Sequence, residues 1–201
     1  IGCPHPYTRG STMGFDFSDF ANSYISDLKA TLDNIPMASL EAFWNVVELT
    51  RQEGGSVHFI GNGGSAATPS HSAGDWSKEL KLRTIAHSDN ISSFTAWSND
   101  TEYSNVFVGQ LSTFIRAGDL VVAYTGSGNS PNVINGVTYA KENGCRTAAI
   151  TGNYNGQSGG MIVDLVDVAL VAPTQSMERI EDIQLIVNHI VKEAIKSHHG
   201  L

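Results

Sequence analysis

Residues 59–65 read Phe-Ile-Gly-Asn-Gly-Gly-Ser, and a helical pattern continues from there through His71 and Asp75. A short apolar run that ends in several glycines, followed by helical spacing, is typical of a β-strand that enters an α-helix through a tight turn. Glycines leave the backbone N–H groups of such a turn accessible, and the N-terminus of a helix attracts anions. Taken alone, the turn predicts a strand-to-helix connection, with anion binding as the alternative.

Strands and helices alternate after this turn. Predicted strands cover residues 56–60, 84–86, 119–124, 146–151 and 166–171, and predicted helices cover 66–80, 92–98, 103–114, 132–142 and 177–197. Continuous apolar strands between helices indicate a parallel sheet that is covered on both faces. Two further helices are predicted before the first strand, at 15–32 and 37–52. Their broad apolar faces suit packing against other helices, including those of another subunit.

The composition limits the class of protein. The chain has 201 residues, of which 41% are apolar, which suits one well-buried domain over residues 15–201. Residues 1–14 lack the basic segment and the apolar core of a secretory signal, so we interpret them as a leader or an expression-derived segment, with Met13 as a possible native start.

The net charge of -8 gives no support to nucleic-acid binding. None of the apolar runs approaches the length of a membrane span, so we expect no membrane partner. Two cysteines, Cys3 and Cys145, do not indicate a disulfide framework. A reducing compartment, the cytoplasm, is therefore the expected location.

A second glycine-rich loop follows the strand predicted at 119–124. Residues 125–132 read Thr-Gly-Ser-Gly-Asn-Ser-Pro-Asn. Ser130 and Pro131 suit the N-cap and first position of a helix, so the simpler interpretation is a cap and a turn. However, hydroxyls and backbone amides can also surround a phosphate. Because ligands bind open parallel sheets at the carboxyl ends of the strands, two such loops together favour a phosphate site.

Acid–base side chains occur on two of the predicted helices. His71 and Asp75 are four residues apart and share a helix face, which suits a metal ion or proton transfer as well as a simple surface pair. Glu181 and His189 are eight residues apart, roughly 12 Å along a helix axis. That separation is marginal for one metal ion, because both side chains would have to lean toward each other. The alternatives are roles in different parts of a site and, as the simpler interpretation, a solvated Glu and an incidental His on an amphipathic helix. His58, within a strand, is expected in the core.

Taken together, the separated motifs resemble the sugar isomerase (SIS) domain and, within it, the phosphoheptose isomerases. The motifs that carry the resemblance are residues 61–67, His71, residues 98–100, residues 125–133, residues 149–152, residues 178–181 and His189. The likeness begins near Phe15 and covers nearly the whole chain from there. It implies a three-layer sandwich of flavodoxin type, with a five-stranded parallel sheet, two added N-terminal helices and homotetramers whose active sites lie at subunit interfaces.

The resemblance also implies roles for individual residues. Substrate-binding positions would be Asn62, Gly63, Gly64, Ser65, Asp75, Asn99, Asp100, Thr125, Gly126, Ser127, Ser130 and Glu181. Zinc, or another divalent cation, one per subunit, would be held by His71, Asp75, Glu181 and His189, with Asp75 and His189 as the catalytic acid–base pair. The expected reaction is the aldose–ketose isomerisation of sedoheptulose 7-phosphate to a heptose 7-phosphate. The alternatives are a non-catalytic phosphosugar-binding or protein-binding module, and an isomerase of another phosphosugar.

Several residues depart from the family pattern. Asp75 stands where the family usually has Glu, Glu181 where it has Gln, and Thr125-Gly126 where it has Ser-Thr. Pro69 is unusual in the helix after the first glycine-rich loop. An Asp in place of a Glu retracts the carboxylate by about an ångström, and misplacements of that size can cost about 10²-fold in rate.

Overall fold

The computed structural model describes residues 14–201, and their fold is a five-stranded, entirely parallel sheet with the strand order β2-β1-β3-β4-β5. The strands are β1 (Ser56–Gly61), β2 (Arg83–Ala86), β3 (Leu120–Tyr124), β4 (Arg146–Gly152) and β5 (Val168–Ala172). The helices are α1 (Phe17–Asp33), α2 (Met37–Gln52), α3 (Gly64–Leu80), α4 (Ile91–Asp100), α5 (Val106–Phe114), α6 (Pro131–Glu142), α7 (Ile162–Leu165) and α8 (Met177–His199).

Helices cover both faces of the sheet, which confirms the predicted three-layer α/β sandwich. Successive strand residues point to opposite faces, so Phe59 packs with α2, α3 and α8, whereas Ile60 packs with α5, α6 and α7. Phe43 and Trp76 are fully buried on the first face, and Phe107 on the second. The continuous apolar strands thus reflect burial on both sides.

Polar contacts hold helix α1 against α8. The Tyr24 hydroxyl donates to Asp182 at 2.8 Å, and an Arg179 guanidinium nitrogen donates to Asp27 at 2.8 Å. Thr31 is the single buried residue of α1. Leu28 and Leu32 in the second half of α1 pack against the core, whereas Phe17, Phe20 and Ile25 are exposed. The predicted helix–helix face of α1 is therefore only partly covered within the described part of the chain.

Most predicted element boundaries agree with the structure to within one or two residues, with three differences. Residues 99 and 100 follow the helix predicted over 92–98 and form a polar stretch typical of a loop, but they belong to the last turn of α4, because the helix continues to the break at Thr101. The four-residue helix α7 was not predicted, since one turn is too short for periodicity to reveal. Residues 103–114 form a 3₁₀ turn followed by α5.

Pro69 lies inside helix α3 without delaying its start, which is at Gly64. Proline provides no N–H group for the carbonyl four residues earlier, that of Ser65. A Cβ atom on Gly61 would lie 2.1 Å from that Ser65 carbonyl oxygen. Glycine at position 61 therefore leaves room for the carbonyl that Pro69 cannot pair.

The leader predicted over 1–14 lies outside the described residues, apart from Gly14. From residue 14 onward, none of the helices combines the length and apolar composition that crossing a membrane requires.

Candidate active site

The two glycine-rich loops leave the sheet side by side. Gly61 of β1 pairs in register with Tyr124 of β3, so the loops that follow these two strands begin as neighbours at the carboxyl edge. They line one cavity of about 280 Å³, together with two residues from the start of α8. The residues that line it are Asn62, Gly63, Gly64, Ser65, Thr125, Gly126, Ser127, Ser130, Met177 and Glu181. The structure thus brings the two predicted loops together.

Hydrogen bonds within the second loop fix its shape. The Gly128 N–H donates to the Thr125 hydroxyl oxygen at 3.1 Å, and the Asn129 N–H donates to the Ser127 hydroxyl oxygen at 3.3 Å. Ser130 occupies the N-cap position of α6 and Pro131 its first position, as predicted, but the Ser130 side chain makes no capping hydrogen bond. The hydroxyl of Ser130 therefore stays available to a ligand.

Helix α3, which begins at the first loop, brings His71 and Asp75 against His189 of α8. The Nε2 atoms of the two histidines are 3.1 Å apart, and Asp75 Oδ2 lies 3.3 Å from His71 Nε2 and 3.7 Å from His189 Nε2. Ligands of a tetrahedral Zn²⁺ at about 2.0–2.1 Å stand roughly 3.3 Å from one another. The three donor atoms therefore fit such an ion, and three protein ligands leave a fourth position open, as in catalytic zinc sites.

Asp75 also contacts a lysine that the sequence analysis did not single out. The Lys192 ammonium on α8 lies 3.1 Å from Asp75 Oδ2. Burial raises the pKa of Asp75, but the hydrogen bond and charge of Lys192, with the two histidines, outweigh this effect and lower the pKa below its ordinary value. Asp75 is therefore a carboxylate at neutral pH, which a proton acceptor must be. Lys192 follows His189 by three residues, so the two side chains share a helix face. This spacing was the sequence signal that could have placed Lys192 near the acid–base group.

Glu181 lies apart from the His71–Asp75–His189 group. Its carboxyl group stands over the first loop, where a Cβ atom on Gly64 would lie 2.3 Å from the carboxyl carbon and oxygens. Burial raises the pKa of Glu181, and the neighbouring Glu178 and Asp182 raise it further. Of the four residues predicted to hold a metal ion, the structure therefore groups three and directs the fourth into the cavity of the glycine-rich loops.

Asn99 and Asp100 lie at the end of α4, and neither lines the cavity of the glycine-rich loops. The Asn99 amide donates to Asp100 Oδ1 at 2.9 Å, and Asp100 faces a separate cavity beside Trp97. No residue of α4 is buried within the described chain. These two predicted substrate-binding residues therefore do not join the glycine-rich loops in the cavity of one subunit.

The structure adds two residues around Asn62. The side-chain amides of Asn62 and Asn132 exchange hydrogen bonds of 2.8 Å, and the Tyr103 hydroxyl donates to Asn62 Oδ1 at 2.9 Å. Asn62 Oδ1 therefore accepts two hydrogen bonds, while the Asn62 amide nitrogen donates to Asn132 Oδ1, so the orientation of the Asn62 side chain is fixed. The sequence contained no local signal for this network, because its members are separated by 41 and 70 residues.

Comparison with known proteins gives consistent matches. A family model described as SIS domain matches residues 21–152. The "Probable phosphoheptose isomerase" of Thermoplasma volcanium is 39% identical over 151 residues, which cover 73% of this chain and 75% of that protein. The phosphoheptose isomerase of Aliarcobacter butzleri is 34% identical over 161 residues, covering 78% and 83%.

Among solved structures, the phosphoheptose isomerase of Neisseria gonorrhoeae superposes with a TM-score of 0.85 at 27% identity, over 90% of this chain and 100% of that one. The family model alone spans well over half of the chain, and the sequence relatives cover more of it. The chain belongs to the SIS domain family.

Proposed function

We propose that the protein is an aldose–ketose isomerase that interconverts sedoheptulose 7-phosphate and a heptose 7-phosphate through an enediol. The observation that carries the proposal is the cavity of about 280 Å³ that both glycine-rich loops share. Helix α3 starts at this cavity and carries His71 and Asp75 to His189. The names of the relatives from Thermoplasma volcanium and Aliarcobacter butzleri support the same activity.

The glycine-rich loops would bind the phosphate. Backbone N–H groups and the hydroxyls of Ser65, Thr125, Ser127 and Ser130 offer donors around the cavity, without a lysine or arginine among its lining residues. The sugar chain would then extend from this cavity toward Asp75 and His189.

Asp75 and His189 would carry the proton transfers. The Asp75 carboxylate takes the proton from the carbon next to the carbonyl, and His189 exchanges the proton on the neighbouring oxygen. The enediol can then be reprotonated to give either the ketose or the aldose. His71, Asp75 and His189 would hold a zinc ion or another divalent cation, which supplies Lewis-acid polarisation of the sugar oxygens when bound. We further propose a cytoplasmic homotetramer with active sites between subunits, which the exposed apolar residues of α1 support.

Solvent exchange tests the proposal. Incubation with sedoheptulose 7-phosphate in deuterated water should place deuterium at C1, because the enediol regains its proton from solvent-exchanged groups. Asp75→Asn and His189→Ala should abolish the exchange and retain phosphosugar binding in a thermal-shift assay. If the parent protein shows no exchange with or without added zinc, it does not isomerise this sugar.

Two alternatives correspond to defined outcomes of the same experiment. Binding without exchange would indicate a phosphosugar-binding module. Exchange with a different phosphosugar, and none with the heptose, would indicate another isomerase, an outcome that the short Asp75 side chain makes worth testing.

A further inference from the structure

Lys192 is a largely buried ammonium within the acid–base group. Its side chain is 10% exposed and its Nζ atom lies 3.1 Å from Asp75 Oδ2, 3.4 Å from Glu79 Oε1 and 3.4 Å from Glu193 Oε1. A buried charge needs such partners, because removal from water without them is costly. Glu79 is also paired with Lys196. Asp75 is therefore a principal partner of Lys192.

The oxygen that Lys192 contacts is the one that faces both histidines. Asp75 Oδ2 lies 3.3 Å from His71 Nε2 and 3.7 Å from His189 Nε2. A divalent cation shared by these three donors would bind this same oxygen. The ammonium and the cation would then share one carboxylate oxygen, and their like charges would repel each other in a partly buried site.

We propose that Lys192 competes with a divalent cation for Asp75: its ammonium pairs with the carboxylate oxygen that faces His71 and His189, and so weakens cation binding there. This inference rests on the proposed metal role of the three residues, but not on the identity of the sugar. The short Asp75 side chain reaches the histidines with its carboxylate tethered from α8.

A zinc titration by calorimetry tests the proposal. Lys192→Met removes the charge and keeps an unbranched side chain of similar length, so the dissociation constant for Zn²⁺ should fall about 10-fold or more, in the range by which groups around metal ligands alter affinity. Lys192→Gln should act in the same direction and serves if the methionine variant does not fold. Damage to the structure would weaken cation binding, so a gain in affinity cannot come from misfolding.

Lys196→Met provides the matched control. Lys196 lies one turn further along α8, pairs with Glu79 and makes no contact with Asp75. Its loss should change the zinc dissociation constant by less than about 2-fold, because the charge is farther from the three donor atoms. The visible spectrum of bound Co²⁺ would report whether the coordination geometry is the same in the parent and the variants.

An unchanged or weaker zinc affinity in Lys192→Met and Lys192→Gln would overturn the proposal, as would the absence of zinc binding in both variants. The titration uses no sugar. The two experiments are therefore independent. If the parent protein fails the deuterium-exchange test but Lys192→Met binds zinc more tightly, the proposed activity is refuted and this inference stands.

Discussion

The Nε2 atoms of His71 and His189 lie 3.1 Å apart, although 118 positions separate the two residues in the chain. The contact arises because α3 and α8 pack side by side on the same face of the sheet, with Trp76 and Val187 in their shared core. Asp75, one turn after His71, completes the group. The geometry of the group therefore depends on the packing of two helices and not on any loop.

We expect His71→Ala to lower zinc affinity by at least about 100-fold, because loss of a direct ligand should exceed the 10- to 100-fold effects of groups around ligands. Calorimetric titration with Zn²⁺ measures this change. His198→Ala, an exposed histidine on α8, is the control and should bind zinc like the parent. Equal zinc affinities in the two variants would show that His71 is not a metal ligand.

The fold could be predicted because local signals and burial agree along most of the chain. The run that contains Phe59 and Ile60 is apolar on both faces because helices cover both, and Gly61 marks its end. The elements that were not predicted correctly have little local sequence signal. Helix α7 is a single turn, and the last turn of α4 has a polar sequence that is also typical of a loop.

The site could be predicted only in part from spacing. The four-residue spacing of His71 and Asp75 fixed their shared face in advance. The direction of Glu181 depends on where α8 meets the first glycine-rich loop, and the Lys192 contact depends on the distance between α3 and α8. Such distances between elements are not encoded in the periodicity of either helix.

The second glycine-rich loop requires a glycine at position 128. Its φ is +68°, and a Cβ atom would lie 1.7 Å from the Gly159 carbonyl oxygen. Gly63 has a φ of +58° with open space around its Cβ position. Both alanine substitutions should cost about 1–3 kcal/mol of backbone strain. Gly128→Ala should lower the free energy of unfolding by at least about 1 kcal/mol more than Gly63→Ala, because the backbone must also move to relieve the contact with Gly159.

Urea denaturation of the two variants measures this difference. Gly63→Ala is the matched control, since it carries the strain of positive φ without the clash. Equal losses in the free energy of unfolding would show that the contact between residues 128 and 159 does not constrain the loop.

Two buried histidines should make the protein sensitive to acid. His58 Nδ1 lies 3.1 Å from His87 Nε2, and Asp119 Oδ2 lies 3.3 Å from His58 Nε2. Burial, and then the neighbouring His58, lower the pKa of His87 from 6.5 to about 3. Burial also lowers the pKa of His58, despite the opposing effect of Asp119. The His87 ring therefore remains neutral in the folded protein at pH 5.

The unfolded chain binds more protons than the folded one between pH 6.5 and about 3, so stability falls as the pH decreases through this range. His87 alone should account for a loss of about 2 kcal/mol between pH 8 and pH 5. In His87→Leu, this loss should be smaller by about that amount, as measured by urea denaturation at both pH values. His198→Leu, at an exposed position, should keep the pH dependence of the parent.

Glu181 should weaken the binding of anions to the glycine-rich loops. Its carboxyl group faces the cavity that we assign to the phosphate, and burial, with Glu178 and Asp182, raises its pKa. Sulfate is a suitable probe because it stays a dianion across the accessible pH range. We expect Glu181→Gln to bind sulfate about 5-fold more tightly at pH 8, since one like charge near a half-exposed site is worth about 1 kcal/mol.

The pH dependence separates this effect from a change in shape. Parent and variant should converge as the pH falls through the pKa of Glu181, because a protonated glutamic acid carries no charge. Glu178→Gln, three residues earlier on α8 and exposed, should change sulfate affinity less than 2-fold. If Glu181 instead held the metal ion, Glu181→Gln would lose zinc affinity and leave sulfate binding unchanged. The two titrations together therefore decide which part of the site this residue serves.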